Sequence, residues 1–88
     1  MNKKWYVYIL ICNDKSFYTG ITNDLRKRQL AHNNGTGSAY TRSRKPVKII
    51  YQETYANRSE ALKREIEIKN LTRKKKENLI QYNKLAQK

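Results

Sequence analysis

One cysteine, one histidine and seven acidic residues are all that this 88-residue chain has of three chemically versatile types. Cys12 has no partner in the chain, which excludes an internal disulfide and any cysteine-rich zinc site. No apolar run approaches the roughly 20 residues that span a bilayer, and Met1-Asn2-Lys3-Lys4-Trp5 does not read as a secretory leader. Neither a lipidation signal nor a helix with one broad apolar and one basic face is present, and a membrane-surface protein needs one of them. The expectation is a cytoplasmic protein, with a monomer favoured. What the chain has in excess is positive charge, 20 Lys+Arg against 7 Asp+Glu, for a net +13. A surplus of that size points to polyanions, of which nucleic acid, DNA or RNA, is the commonest. Residues 1–88 are expected to form one small domain with a thin core.

The order of elements follows from periodicity and punctuation. Trp5 to Cys12 is β-branched and aromatic on both faces, so it predicts a central strand. Asn13-Asp14-Lys15-Ser16 is a turn signal, and Phe17 to Thr22 a second strand paired with the first as a hairpin. Gly20 inside that strand signals a bulge or a close approach by another group. Asn23 or Asp24 can cap a helix running to about Asn33. A glycine- and serine-containing loop with Arg42, Arg44, Lys45 and Pro46 comes next. In the third strand, Val47 to Tyr55, alternation places Val47, Ile49, Tyr51 and Tyr55 on one face. Asn57-Arg58-Ser59-Glu60 starts a helix to about Asn70 in capping-box fashion, and Thr72 can cap a last helix from Arg73 to about Leu85. The fold expected is α/β (α+β): a three-stranded, mostly antiparallel sheet flanked by three helices, in the order β-β-α-β-α-α.

Two helical faces carry the candidate chemistry. Leu25, Arg28, Gln29 and His32 fall at i, i+3, i+4 and i+7, so an arginine and the lone histidine share one face. That face should turn towards the strand bearing Tyr18. On the next helix Glu65 points where Ala61, Leu62 and Ile68 point, with Lys69 beside it, while Glu60, Lys63, Arg64 and Glu67 fall on the solvent side. A carboxylate directed at a core costs several kcal/mol in effect unless it is paired or binds a metal. Lys69 or a tyrosine hydroxyl could supply a structural pair instead. Cations in the first turn of the last helix, Arg73-Lys74-Lys75-Lys76, oppose the macrodipole, so local stability does not explain them.

Each of these residues has a plainer reading when taken singly. Tyr6, Tyr8 and Tyr18 suit packing, Arg28 and His32 suit a helix surface, and the basic clusters suit a solvated face. Taken together they resemble the GIY-YIG nuclease superfamily, in particular its small single-domain bacterial branch. The first name-giving motif is Tyr6-Val7-Tyr8 and the second Tyr18-Thr19-Gly20. The arginine that follows is Arg28, the polar position one turn later is His32, and EALKREIEIK from Glu60 to Lys69 supplies Glu65. Tyr6 stands where the family has glycine, Thr19 where it has isoleucine or valine, and Lys69 lies one residue closer to Glu65 than in the repair-enzyme branch.

The resemblance, which extends to the nuclease domain of the excision-repair incision subunit and of homing endonucleases, implies hydrolysis of a DNA phosphodiester with one Mg²⁺ or Mn²⁺. With one small domain and no second to supply sequence readout, the cutting is expected to be structure-selective or weakly specific. Glu65 would hold the metal, Arg28 would clamp phosphate oxygens, and Tyr18 would take the proton of the attacking water. Tyr8 would orient Tyr18 or the water, and His32 would be an alternative base or a phosphate contact. Tyr6, Arg42, Arg44, Lys45, Arg73, Lys74, Lys75 and Lys76 are the expected nucleic-acid contacts, with Asn78 ahead of Asn83 as an accessory residue. The alternative is a basic nucleic-acid-binding module of the same fold without turnover.

Overall fold

The first strand, β1 (Trp5–Ile11), is central, as its composition requires: Val7, Tyr8, Ile9 and Leu10 are all fully buried. The structure is a computed structural model, and it describes residues 3–86, with side chains as far as Asn83. β1 pairs antiparallel with β2 (Phe17–Thr22) on one side and β3 (Lys48–Tyr55) on the other, giving the order β2-β1-β3. In the hairpin turn the Cys12 amide donates to the Ser16 carbonyl at 2.9 Å, and Lys15 takes the left-handed conformation. Asp14 Oδ1 accepts from the Ser16 amide at 3.0 Å, an Asx-type turn that closes the loop.

Successive β1 side chains alternate between two cores. Val7 and Ile9 pack with Tyr51, Ala61, Ile68 and Ile80, beneath α3 (Arg58–Lys69) and α4 (Arg73–Ala86). Tyr8, Leu10 and then Cys12 pack with Val47, Tyr18, Leu25 and Ile49 on the face covered by α1 (Leu25–Asn33). The first strand is apolar throughout because neither of its faces meets water.

The third strand departs from the expected alternation. Ile9 pairs with Tyr51 but Leu10 with Ile49, so Ile50 is an extra residue in the ladder. This bulge turns Val47 and Ile49 to the α1 side and leaves Tyr51 and Tyr55 on the α3 side. Val47 is also outside the strand, because the Asn33 side chain takes its backbone: Oδ1 accepts from the Val47 amide at 2.8 Å and Nδ2 donates to its carbonyl at 3.1 Å.

Helix starts follow the cap signals. Asp24 accepts from the Lys27 amide at 3.0 Å, Asn57 from the Glu60 amide at 2.9 Å, and Thr72 from the Lys75 amide at 3.2 Å. Glu60 does reach back, to the Asn57 side-chain amide at 3.1 Å. The loop after α1 contains one turn that sequence reading passed over, α2 (Ala39–Arg42), capped by Ser38, whose hydroxyl accepts from the Thr41 amide at 3.1 Å. The expected order of elements therefore holds with a fourth, single-turn helix added. Arg64, expected in solvent, instead reaches β3: its Nε and Nη2 meet the two Glu53 oxygens at 2.9 and 3.1 Å. No described helix is long and apolar enough to cross a membrane.

Candidate active site

The site begins with a glycine. Tyr8 and Gly20 are register partners, and the phenol lies so close over residue 20 that a Cβ there would stand 2.5 Å from its oxygen. The α1 face then delivers what its spacing promised. Arg28 Nε donates to Tyr8 Oη at 3.3 Å, and His32 Nε2 lies 3.0 Å from the same oxygen. Gln29, between them, accepts from the Ile49 amide at 2.8 Å and ties the helix to β3.

Around these groups the α2 segment closes like a clasp. Arg28 Nη2 donates to the Gly37 carbonyl at 3.1 Å, and His32 Nδ1 lies 2.8 Å from Thr41 Oγ1. Gly37 abuts the His32 ring so tightly that it leaves no room for a side chain. Tyr18 completes the cluster, its ring 5.1 Å from that of His32 and 6.5 Å from that of Tyr8.

Charge states follow from this enclosure. Burial first, and the nearby Arg28 cation second, hold the His32 pKa down at about 4, so the ring is neutral. Burial pushes the Tyr8 phenol above its ordinary value; the Arg28 hydrogen bond opposes this without overcoming it. The Glu65 carboxylate adds last and least to that upward push. Glu65 is 13% exposed in its side chain and pairs with Lys69 Nζ at 3.4 Å. Tyr8 itself holds Arg28 firmly charged through their hydrogen bond.

The expected residues thus sort by access. Tyr18, Arg28 and Glu65 are half-buried, while Tyr8 and His32 have no exposed surface at all. Tyr8, expected to orient Tyr18 or the water, and His32, expected as an alternative base or a phosphate contact, are both sealed from solvent and bonded to each other beside Arg28. A cavity of about 230 Å³ opens beside Arg28, lined by Thr22, Asn23, Asp24, Lys27 and Ala31.

The basic residues divide as well. Arg42 and Lys45 are exposed in the segment that carries Gly37 and Thr41, Arg42 donating to the Gly35 carbonyl at 3.3 Å. Arg44 is spent on structure: it bonds Asp14 at 3.1 Å and the Tyr40 carbonyl at 2.8 Å, and it covers the Tyr40 ring at 3.9 Å. Arg73 lies 4.1 Å over Phe17, donates to the Lys15 carbonyl at 2.8 Å and pairs with Glu77. That packing gives a cation at the start of α4 a structural role. Lys74 and Lys75 are exposed, Lys76 half-buried, and Tyr6 half-buried on the Tyr8 face of β1. Asn78 is exposed on α4, whereas Asn83 lines a groove with Ile49, Ile50, Tyr51 and Gln52.

Sequence reading missed Ser38, Thr41 and Glu53. A Ser-x-x-Thr pattern marked the α2 cap, but nothing local connects Thr41 to a histidine nine residues earlier. Glu53 shares a face with Tyr51 and accepts from its hydroxyl at 2.5 Å and from that of Tyr55 at 2.6 Å.

The class of protein follows from the sequence family that carries this fold, a family of nuclease domains. The sequence model of the GIY-YIG catalytic domain matches residues 4–78, and the chain belongs to that family. Within it the chain is similar to small proteins called UPF0213. It is 55% identical to one from Staphylococcus epidermidis over 89% of this chain and 95% of the relative. Two solution structures share the fold. The protein EF2693 from E. faecalis is 45% identical with a TM-score of 0.64, covering 97% of this chain and 93% of that one. UPF0213 protein BH0048 from Bacillus halodurans is 42% identical with a TM-score of 0.59, over 90% and 84%.

Proposed function

We propose that this protein is a divalent-metal-dependent nuclease that hydrolyses phosphodiester bonds in DNA, selecting substrate by structure or only weakly by sequence. The observation that carries this reading is the fixed Arg28 guanidinium, held by Tyr8 Oη and the Gly37 carbonyl. Of the five N–H donors of a guanidinium, those two bonds use one each, and three remain for an anion. A planar fork held in this way suits the paired non-bridging oxygens of a phosphate. It also meets the charge that grows on those oxygens as the bond breaks.

The donor set suits a hard cation of the Mg²⁺ or Mn²⁺ type. Among the described residues no three His, Cys, Asp or Glu side chains cluster as a metal cage. His32 is unavailable, since both its ring nitrogens are engaged. Glu65 is left as the single carboxylate ligand, which fits an ion that keeps most of its waters and takes phosphate oxygens. Bound there, the ion would act as a Lewis acid on the scissile phosphate. Tyr18 is the phenol of the site with access to solvent, and we assign it the proton of the attacking water. Lys69, paired with Glu65, keeps the carboxylate placed until an ion displaces it.

The test is a panel of single-stranded, duplex, flap and junction DNA with Mg²⁺ or Mn²⁺. Cleavage that needs the metal, and that Glu65→Ala and Arg28→Ala lose while folding and DNA binding persist, is the expected result. Binding throughout the panel with no metal-dependent cutting would leave a binding module.

A further inference from the structure

The orientation of Arg28 traces back through three buried hydrogen-bonding groups to the half-buried Ser38 that caps α2. Tyr8 is fully buried, so its hydroxyl has no solvent to bond. Its two partners are Arg28 Nε, which only donates, and His32 Nε2. The phenol proton therefore goes to Nε2, since a buried hydroxyl without an acceptor is rare in native structures. A neutral imidazole has one donor and one acceptor nitrogen, so Nδ1 carries the proton. Nδ1–H then donates to Thr41 Oγ1 at 2.8 Å. The Thr41 proton in turn has Ser38 Oγ at 2.9 Å and the Ser38 carbonyl at 3.4 Å as acceptors. Every member of the series is thereby satisfied in one direction: Arg28 to Tyr8, Tyr8 to His32, His32 to Thr41, Thr41 to Ser38.

Thr41 is fully buried, and apart from Ser38 in its own turn the His32 ring is the one partner of its hydroxyl. Removing the hydroxyl would strand Nδ1–H in an apolar gap. The cheapest relief is to move the proton to Nε2, which then points a donor at Tyr8 Oη. The phenol would lose its acceptor and have to rotate its proton elsewhere, disturbing the acceptor on which Arg28 Nε rests.

We propose that Thr41 is a positioning residue for Arg28, acting through His32 and Tyr8. The proposal rests on the reading of Arg28 as the phosphate clamp, and its test separates the two. Because His32 is the only histidine, its two ring ¹⁵N resonances are unambiguous. In the wild-type protein they should show the proton on Nδ1. In Thr41→Val, isosteric but without the hydroxyl, the proton should move in part or wholly to Nε2, and Thr41→Ser should restore it. In cleavage, Thr41→Val should lower kcat about tenfold or more with KM within about twofold, and Thr41→Ser should recover most of it.

A wild-type imidazole protonated at Nε2 overturns the proposal whatever the variants do, so a poorly folding Thr41→Val does not shield it. An unchanged tautomer in folded Thr41→Val overturns it equally. Should the tautomers behave as described while wild-type protein cuts no substrate, the nuclease reading fails and the positioning series stands.

Discussion

Tyr8 and Gly20 face each other across the first hairpin with no space for another carbon between them. Tyr8 is fully buried and bonded to both Arg28 and His32, so it has nowhere to retreat. Gly20→Ala should therefore cost about 1–3 kcal/mol, the ordinary range for overpacking a filled core. It should also displace Arg28 and lower cleavage. Urea denaturation and a cleavage assay on the same protein check this; a neutral alanine would mean the phenol is free to swing.

The ion pair of Glu53 and Arg64 is the second firm contact between sheet and helix. Burial pushes the Glu53 carboxyl up, but bonds from Arg64, Tyr51 and Tyr55 outweigh it and hold the group below its ordinary 4.5. Arg64→Met should cost about 2 kcal/mol, because it leaves a half-buried carboxylate without its cation. Glu67, which also pairs with Arg64, is 65% exposed, and Glu67→Gln should change stability by less than about 0.5 kcal/mol. Denaturation midpoints of the two variants should differ plainly, and equal losses would refute this ranking.

Acid should weaken the fold earlier than the carboxylates alone require. Unfolded, His32 binds a proton below its ordinary 6.5; folded, it stays neutral to about 4. The unfolded chain thus binds more protons across that window, so stability falls as pH drops from 6.5 to 4 and is level above it. The whole loss is about 3 kcal/mol at 1.36 kcal/mol per unit, of which about 2 kcal/mol falls above pH 5. An NMR titration of the single imidazole, set beside urea midpoints at pH 7 and 5, measures it. A ring that titrates near 6 would contradict the enclosure described above.

Salt should separate the free cations from the spent ones. Arg42 and Lys45 are exposed beside the site, and replacing either with alanine should reduce the log–log salt slope of DNA binding by about one. Arg73 is occupied by Phe17, Lys15 and Glu77, so Arg73→Ala should lower stability and leave that slope nearly unchanged. Anisotropy titrations between low and moderate salt provide the comparison.

These contacts also show what a sequence can and cannot disclose. The α1 face was legible because Arg28 and His32 obey helical spacing, and a helix of that length keeps its phase. Val47 to Tyr55 was only half legible, since one extra residue at Ile50 reverses the alternation without leaving a local mark. Glu53 escaped notice, and Arg64 was assigned to solvent, because their partnership exists only once α3 lies on β3. Thr41 escaped for a related reason: a four-residue helix has too little periodicity to announce which way its hydroxyl points.

The segment bearing Gly37 and Thr41 is moored at its far end to the first hairpin. The Asn13 amide donates to the Arg44 carbonyl at 2.9 Å, and the Arg44 guanidinium holds Asp14. An exposed four-residue turn would ordinarily be the first choice for an epitope tag or for new termini in a circular permutant. In this protein the same turn tethers Arg28 through the Gly37 carbonyl and Thr41, so grafting there should yield folded material in which that arginine has come unfastened.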